Sequence, residues 1–295
     1  MKLRRSSARA IEPHRPGLLL GVAAIVLLSA AVLPGLRADP RCSRPHCVAA
    51  ADSTRSPITR WRPSAGFGPL TDAQAAHRVR RAVETRPRNR SANHYMPTSA
   101  ELRSFHRARD ERGQNERHRN PYLAAVTGHF AGTTDEIIQW AAHKWGIPED
   151  WLRAQYAIES RWNQSAVGDL ETVSPSERAR YPDFSCPSET QCYESLGITQ
   201  VKWRPDGSEG AGTEPLRWTS TAFNADYQAA TVRFHYDDPH RRRSAWGDSS
   251  YRRGQRWLAL AAWYQPYPWS SPQQREYAHE VRHALTTRLW RQRGF

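Results

Sequence analysis

The stretch from Thr133 to Asn163 constrains the fold more than any other part of the sequence, because it predicts two helices joined by a tight corner. Thr133 and Glu136 have the spacing of a capping box at the start of the first helix. Gly146 stands where a helix ends in a left-handed residue, and Pro148 suits the first turn of the next helix. Apolar residues recur at helical spacing in both segments, so each helix should bury one face.

The second helix carries one carboxylate within its apolar face. At about 100° per residue, Glu159 falls between Leu152 and Gln155, inside the arc that also holds Ile158. Burial disfavours a charged carboxylate, so the pKa of Glu159 should rise and its proton should persist toward neutral pH. A general acid requires this behaviour. The structural alternative is a buried Glu that only bonds to a neighbour.

Three short blocks occur along the chain in a recognisable order. Glu159-Ser160 ends the second helix, Gly197-Ile198-Thr199-Gln200-Val201 follows it, and Ala262-Trp263-Tyr264-Gln265-Pro266 comes later. Together they resemble the Glu-Ser, Gly-Leu-Met-Gln-Ile and Ala-x-Tyr-Asn-Ala-Gly blocks of the lytic transglycosylase (SLT) family, which is related to the goose-type lysozymes. The resemblance covers about residues 133–289.

The resemblance implies a mainly α, lysozyme-like catalytic domain over residues 122–295, and no strand pattern of any length is visible. It makes Glu159 the catalytic acid and Tyr264 the residue whose hydroxyl bonds to it. The residues that it implies for substrate binding are Ser160, Gly197, Gln200 and Gln265. Thr199 and Gln265 stand where the family has Met and Asn.

The activity implied is cleavage of the β-1,4 bond between N-acetylmuramic acid and N-acetylglucosamine in peptidoglycan, with 1,6-anhydro ends and no metal or cofactor. The alternatives are a lysozyme-type hydrolase of the same bond and a catalytically silent wall-binding module. The insert at residues 168–195 contains several acids. Either all of them are ordinary loop residues, or one of them positions a water molecule for hydrolysis. They include Asp169, Glu171, Asp183, Glu189 and Glu194.

The first 38 residues have the pattern of an export segment. A basic stretch ends at Arg15, and the uncharged, mostly apolar run Gly17–Leu36 follows it. This run suits either a cleaved signal peptide or an uncleaved membrane anchor, and in both cases the rest of the chain is exported. Removing residues 1–38 takes away six Lys or Arg and one Glu, which lowers the net charge from +14 to +9.

Residues 39–121 read as a basic, Arg- and Pro-rich linker with patchy helix, partly disordered. Between residues 51 and 130 there are 15 Arg against 7 Asp or Glu, so anionic wall polymers or a membrane surface are candidate partners. No nucleic-acid-binding motif is visible, which argues against a specific nucleic-acid partner. Composition changes from Trp140 onward, where eleven of the 12 Trp residues lie.

The four cysteines form two close pairs, Cys42 with Cys47 and Cys186 with Cys192. An even number in an exported chain favours disulfides over metal ligation. Three pairings are possible, and the simplest joins Cys186 to Cys192 across a short loop.

Overall fold

The protein is described here from a computed structural model, in residues 56–113, 120–237, 255–264 and 271–295. The helices are α1 (Asp72–Ala76), α2 (Arg90–Asn93), α3 (Ser99–Gly113), α4 (Thr134–Trp145), α5 (Glu149–Ser160), α6 (Pro175–Arg178), α7 (Leu216–Thr219), α8 (Thr221–Asp237), α9 (Arg256–Tyr264) and α10 (Pro272–Thr287). Short 3₁₀ turns occupy Pro87–Asn89, Pro121–Ala125, Asp183–Ser185 and Leu289–Arg291. The prediction of a mainly helical chain is confirmed in these residues.

The two helices predicted around the corner are present as α4 and α5. Thr133 caps α4, and its side chain and that of Glu136 form the reciprocal bonds of a capping box. Gly146 ends α4 with φ 63°, a left-handed conformation that costs glycine little. The corner turns the chain sharply, so that α4 packs on α8 while α5 packs on α10. The carboxyl end of α5, which carries Glu159, therefore lies against α10.

A three-stranded antiparallel sheet corrects the expectation that the chain has no strands. Its strands are β1 (Val167–Thr172), β2 (Gln191–Leu196) and β3 (Val201–Lys202), in the order β1-β2-β3. Only the first two residues of β1 are buried, and its other four are exposed, so it lacks the regular alternation that marks a strand in a sequence. The sheet follows α5 directly in the chain, so β1 begins shortly after Glu159.

The predicted local disulfide joins Cys186 and Cys192. Cys192 lies in β2 opposite Glu171 of β1, and its side chain is buried with Val173, Tyr181 and Trp203 in a small apolar cluster beside the sheet. The bond therefore ties the loop between the two strands to its own small core.

Part of the region predicted as a linker packs into the main core. Trp61, Ala75, Leu102 and Phe105 are buried in the same apolar cluster as the residues of α4, α5 and α8. Single apolar residues spaced among many arginines do not show as a helix or strand pattern, which is why the sequence indicated a linker. The packed unit thus begins well before residue 122.

The export segment at residues 1–38 and the pair Cys42/Cys47 lie outside the described residues. In the part of the chain that the structure describes, no helix has the length and apolar character needed to cross a membrane.

Candidate active site

Glu159 lies in the last turn of α5 and is partly exposed. The helix ends at the next residue, Ser160, because Arg161 and Trp162 both adopt positive φ, at 52° and 63°. Burial of the carboxyl group raises the pKa of Glu159 to about 8, and the negative charges of Asp169 and Glu280 act in the same direction. At neutral pH this carboxyl group therefore holds a proton while part of its surface remains accessible.

The hydroxyl that bonds to Glu159 belongs to Tyr277 on α10, which corrects the role expected for Tyr264. Tyr277 donates to Oε1 of Glu159. Tyr264, at the end of α9, stacks on the Tyr277 ring at 4.9 Å between centroids and is 55% exposed. Burial and the nearby Glu159 raise the pKa of Tyr277 well above its usual value, so the phenol keeps its proton and remains a donor.

No signal in the sequence singled out Tyr277, because this residue belongs to none of the three blocks. It lies on the buried face of α10, where helical periodicity predicts a core residue. A buried Tyr normally needs a hydrogen-bond partner for its hydroxyl, and that requirement is the one available hint.

Two buried glutamine side chains, for which the sequence predicts no role, connect to Tyr277 by hydrogen bonds. Gln155, one turn before Glu159 on α5, donates from Nε2 to the Tyr277 oxygen at 3.0 Å and to the Leu260 carbonyl at 3.2 Å. Gln228 of α8 donates from Nε2 to Oε1 of Gln155 at 2.7 Å. Both glutamines are fully buried.

Asp169 of β1 is the insert acid whose charge acts on Glu159. Its charge raises the pKa of Glu159 and also contributes, after burial, to a raised pKa of Tyr264. Ser195 donates its hydroxyl to Oδ2 of Asp169 at 2.6 Å, and Lys202 Nζ lies 3.7 Å from the same oxygen. Asp169 has φ 53°, an uncommon conformation for a residue with a side chain.

The other acids of the insert have different positions. Glu194 is buried and paired with Lys202 and Arg204, at 3.1 Å from each. Asp183 forms a surface ion pair with Arg178, while Glu171 and Glu189 are exposed. Asp169 is thus the candidate for a second carboxylate at the site.

Ser160, expected to bind substrate, is buried and faces inward. Its hydroxyl donates to the Ile198 carbonyl at 2.7 Å. This bond ties the turn at Gly197–Gln200 to the end of α5, so Ser160 holds the block in place. Thr199 is also fully buried, and its hydroxyl donates to Oδ1 of Asn224 at 2.6 Å.

Gly197 and Gln200 also serve the packing of this turn. Gly197 has φ 90°, and a Cβ there would lie 2.2 Å from Asn224 Nδ2 and 2.6 Å from the Arg217 carbonyl oxygen. Gln200 Nε2 donates to the carbonyls of Ala166 at 3.2 Å and Gly197 at 2.9 Å. The glycine requirement therefore comes from the protein interior, and the amide protons of Gln200 are engaged within the turn.

Gln265, the last of the expected substrate-binding residues, lies outside the described residues, as do its neighbours to residue 270. Within the described ranges, no group of three or more His, Cys, Asp or Glu side chains is placed to hold a metal ion.

A basic cleft of about 1090 Å³ lies away from Glu159, near the start of α5. Arg60, Arg62 and Arg78 line it together with Trp61, and the described lining residues include no Asp or Glu. Burial, followed by the charges of Arg233 and Arg78, lowers the pKa of Arg62. About 15 Å of helix separates Glu149, which is beside this cleft, from Glu159.

Comparison with known proteins returned no match: no protein-family model, no curated protein and no solved structure matches the chain. The case for a function therefore depends on the residues of this chain.

Proposed function

We propose that this protein is a peptidoglycan-cleaving enzyme of the lytic transglycosylase type, with Glu159 as its catalytic acid. The observation that carries the proposal is the state of Glu159, a partly exposed residue whose carboxyl group has a pKa of about 8 and so is protonated at neutral pH. A general acid works best when its pKa lies near the working pH. The three blocks that resemble the SLT family supply the substrate class.

In the proposed reaction, Glu159 donates its proton to the oxygen of the scissile β-1,4 bond between N-acetylmuramic acid and N-acetylglucosamine. The 2-acetamido group of the muramic acid takes the place of a nucleophilic carboxylate, as in substrate-assisted glycoside cleavage. Glu159, now charged, then accepts the proton of the sugar's own 6-hydroxyl, and a 1,6-anhydro ring closes. Tyr277 supports the charged intermediate state because it donates a hydrogen bond to the carboxylate.

A lysozyme-type hydrolase of the same bond is the second candidate, and Asp169 is the observation that favours it. A hydrolase must position a water, which inverting enzymes do with a second carboxylate. The charge of Asp169 acts on Glu159, and Ser195 holds the Asp169 carboxyl group with a hydrogen bond, so Asp169 is the candidate for such a base. Lys202 Nζ lies 3.7 Å from Oδ2 of Asp169.

We also propose that the protein is exported and binds anionic wall polymers through the basic cleft. The export segment at residues 1–38 supports the location. Three arginines line one cleft whose described lining residues include no carboxylate, and this supports the choice of an anionic partner. Phosphodiester or carboxylate groups are the ligands that guanidinium groups bind best.

Digestion of purified peptidoglycan tests the proposed activity. Wild-type protein should release soluble glycan fragments, and Glu159→Gln should reduce the rate by about 10²–10⁴-fold. Glu171→Gln, an exposed acid on β1, is the matched control and should leave the rate unchanged. Binding of peptidoglycan without any release by the wild type would indicate the silent wall-binding module instead.

A further inference from the structure

Four side chains form a continuous hydrogen-bonded chain that ends on Glu159. Gln228 donates to Gln155 at 2.7 Å, Gln155 donates to Tyr277 at 3.0 Å, and Tyr277 donates to Glu159 Oε1. The two glutamines are fully buried, and Tyr277 is 5% exposed. The chain joins α8, α5 and α10, so no single helix defines it.

The Leu260 carbonyl fixes the direction of this chain. A backbone carbonyl only accepts hydrogen bonds, so the side of the Gln155 amide that faces Leu260 must be its NH₂ group. The same NH₂ group faces the Tyr277 oxygen, and Oε1 of Gln155 then faces Gln228. A flip of Gln155 would place two oxygens in contact at Leu260, so its orientation does not depend on Glu159.

This direction decides where the proton of neutral Glu159 resides. The Tyr277 oxygen accepts a hydrogen bond from Nε2 of Gln155, so its single O–H is directed to Oε1 of Glu159. In a neutral carboxyl group the carbonyl oxygen is the better acceptor, so the oxygen that accepts this bond is preferentially the one without the acid proton. The proton therefore belongs on Oε2, which receives no bond from the described residues.

We propose that Gln155 and Gln228 are positioning residues that keep the acid proton of Glu159 on Oε2, the oxygen to which Tyr277 does not donate. The catalytic role of this proton rests on the proposed function. The direction of the hydrogen bonds does not, because it follows from the contact with the Leu260 carbonyl. With the opposite direction, Tyr277 would donate to Gln155 and accept from Oε1. The acid proton would then point into the protein, where it cannot reach a substrate.

A substitution at Gln228 can reverse the direction of these hydrogen bonds without changing Tyr277 or Glu159. In Gln228→Glu, a carboxylate oxygen would face Oε1 of Gln155 and favour the flipped amide. In Gln228→Met, the donor is lost but the Leu260 carbonyl still orients Gln155. We expect at least about a tenfold loss of kcat in Gln228→Glu and less than about a threefold loss in Gln228→Met, with KM unchanged in both.

Titration of the Glu159 carboxyl carbon by ¹³C NMR provides a readout that needs no turnover. Gln228→Glu should raise the pKa of Glu159 by about 1 or more, because the carboxylate loses the bond from Tyr277. The titratable groups around Glu159 in the described residues are Tyr156, Asp169, Tyr264, Tyr277 and Glu280. None of them is changed in either Gln228 variant.

A double-mutant cycle separates the hydrogen-bonded chain from the plain charge of the new carboxylate. The pKa rise caused by Gln228→Glu should disappear in a Tyr277→Phe background, where the chain is already broken. An equal rise in both backgrounds would mean that the charge acts through space, and this would overturn the proposal. If the wild-type protein had no activity on peptidoglycan, the proposed function would be rejected. The titration would still show whether the hydrogen bonds from Gln228 to Glu159 have the proposed direction.

A buried carboxylate at position 228 can prevent folding, and Gln155→Met is the substitute in that case. It removes the donor to Tyr277 without adding charge, so the hydroxyl is free to accept from Glu159 Oε1. We expect a several-fold loss of kcat at unchanged KM and unchanged melting temperature. An unchanged kcat in a folded Gln155→Met protein would overturn the proposal.

Discussion

Tyr277 donates a hydrogen bond to Oε1 of Glu159 although the two residues lie 118 positions apart in the chain. The bond crosses from α10 to the last turn of α5, where the two helices pack together. It stabilises the charged form of Glu159 and so lowers its pKa against the larger effect of burial. The pair therefore combines a carboxyl group that holds its proton at neutral pH with a donor that supports it after the proton is lost.

Tyr277→Phe should slow peptidoglycan cleavage more than Tyr264→Phe does. A hydrogen bond to a charged group contributes about 1.5–3 kcal/mol, which corresponds to about 10–100-fold in rate. Tyr264→Phe keeps the ring that stacks on Tyr277 and should change the rate by no more than about threefold. Initial rates of fragment release measure both, and the opposite ranking would restore the role first expected for Tyr264.

The products should carry 1,6-anhydromuramoyl ends. An intramolecular 6-hydroxyl held near the reacting carbon has an advantage over water that can reach several kcal/mol. Mass spectrometry of digests in ¹⁸O-labelled water measures the outcome. Reducing ends that contain ¹⁸O would identify a hydrolase, and Asp169→Asn should then abolish the activity while Glu171→Gln leaves it intact.

The pKa of Glu159 also predicts how stability changes with pH. Because the folded-state pKa of about 8 exceeds the ordinary value of 4.5, the folded state binds the proton more tightly between these two pH values. The free energy of unfolding should therefore fall as pH rises from about 4.5 to 8. Glu159→Gln removes this loss and should be more stable than wild type at pH 9 by at least about 1 kcal/mol.

Urea unfolding at pH 5 and pH 9 measures the effect, and Glu171→Gln is the control for the loss of one exposed carboxylate. If Glu159→Gln and wild type showed the same difference between the two pH values, Glu159 would have an ordinary pKa and the proposed acid would be refuted.

Glu149 at the start of α5 has the opposite pH dependence. Burial alone would raise its pKa, but His143 at 3.2 Å, hydrogen bonds from Arg80 and the charge of Arg153 lower it to about 2. Its contribution to stability is present above its ordinary pKa of 4.5 and is lost as pH falls toward 2. Glu149→Gln should cost about 3–5 kcal/mol at pH 7, because it removes a buried carboxylate that pairs with Arg80 and with the buried Arg153.

Urea unfolding at pH 7 and pH 3 checks this prediction, since the difference from wild type should shrink at the lower pH. Asp150→Asn is a matched control, because Asp150 pairs with the same Arg153 but is 39% exposed. It should cost less than about 1 kcal/mol. If both variants lost the same free energy of unfolding, the burial of Glu149 would not strengthen its contribution to stability.

The basic cleft should bind an anionic polymer in a way that depends on the position of its charges. Arg78→Glu should weaken binding of soluble poly(glycerol phosphate) by about tenfold at low salt, and the effect should shrink as salt rises. Arg103→Glu makes the same change of net charge at an exposed position on α3. Equal weakening by both variants, measured by calorimetry, would indicate attraction by net charge alone.

Local signals predicted the elements that hold Glu159. The capping box at Thr133, the left-handed Gly146 and the helical periodicity after Pro148 each depend on residues within a few positions of one another. The disulfide between Cys186 and Cys192 spans only six positions, so the sequence also favoured the pairing that the structure has. The high pKa of Glu159 followed from its place inside an apolar helix face.

Tertiary structure alone decided which side chains meet at the carboxyl group. A helical pattern shows which face of α10 is buried, but it does not show that Tyr277 meets Glu159 there. Contacts across 122 positions to Gln155 and across 73 positions between Gln155 and Gln228 have no local signature. The same holds for the packing of Trp61 into the core, because its partners come from distant helices. Periodicity fixes the direction of a side chain relative to its own backbone, and only the packing of helices and sheet fixes the partner that it finds.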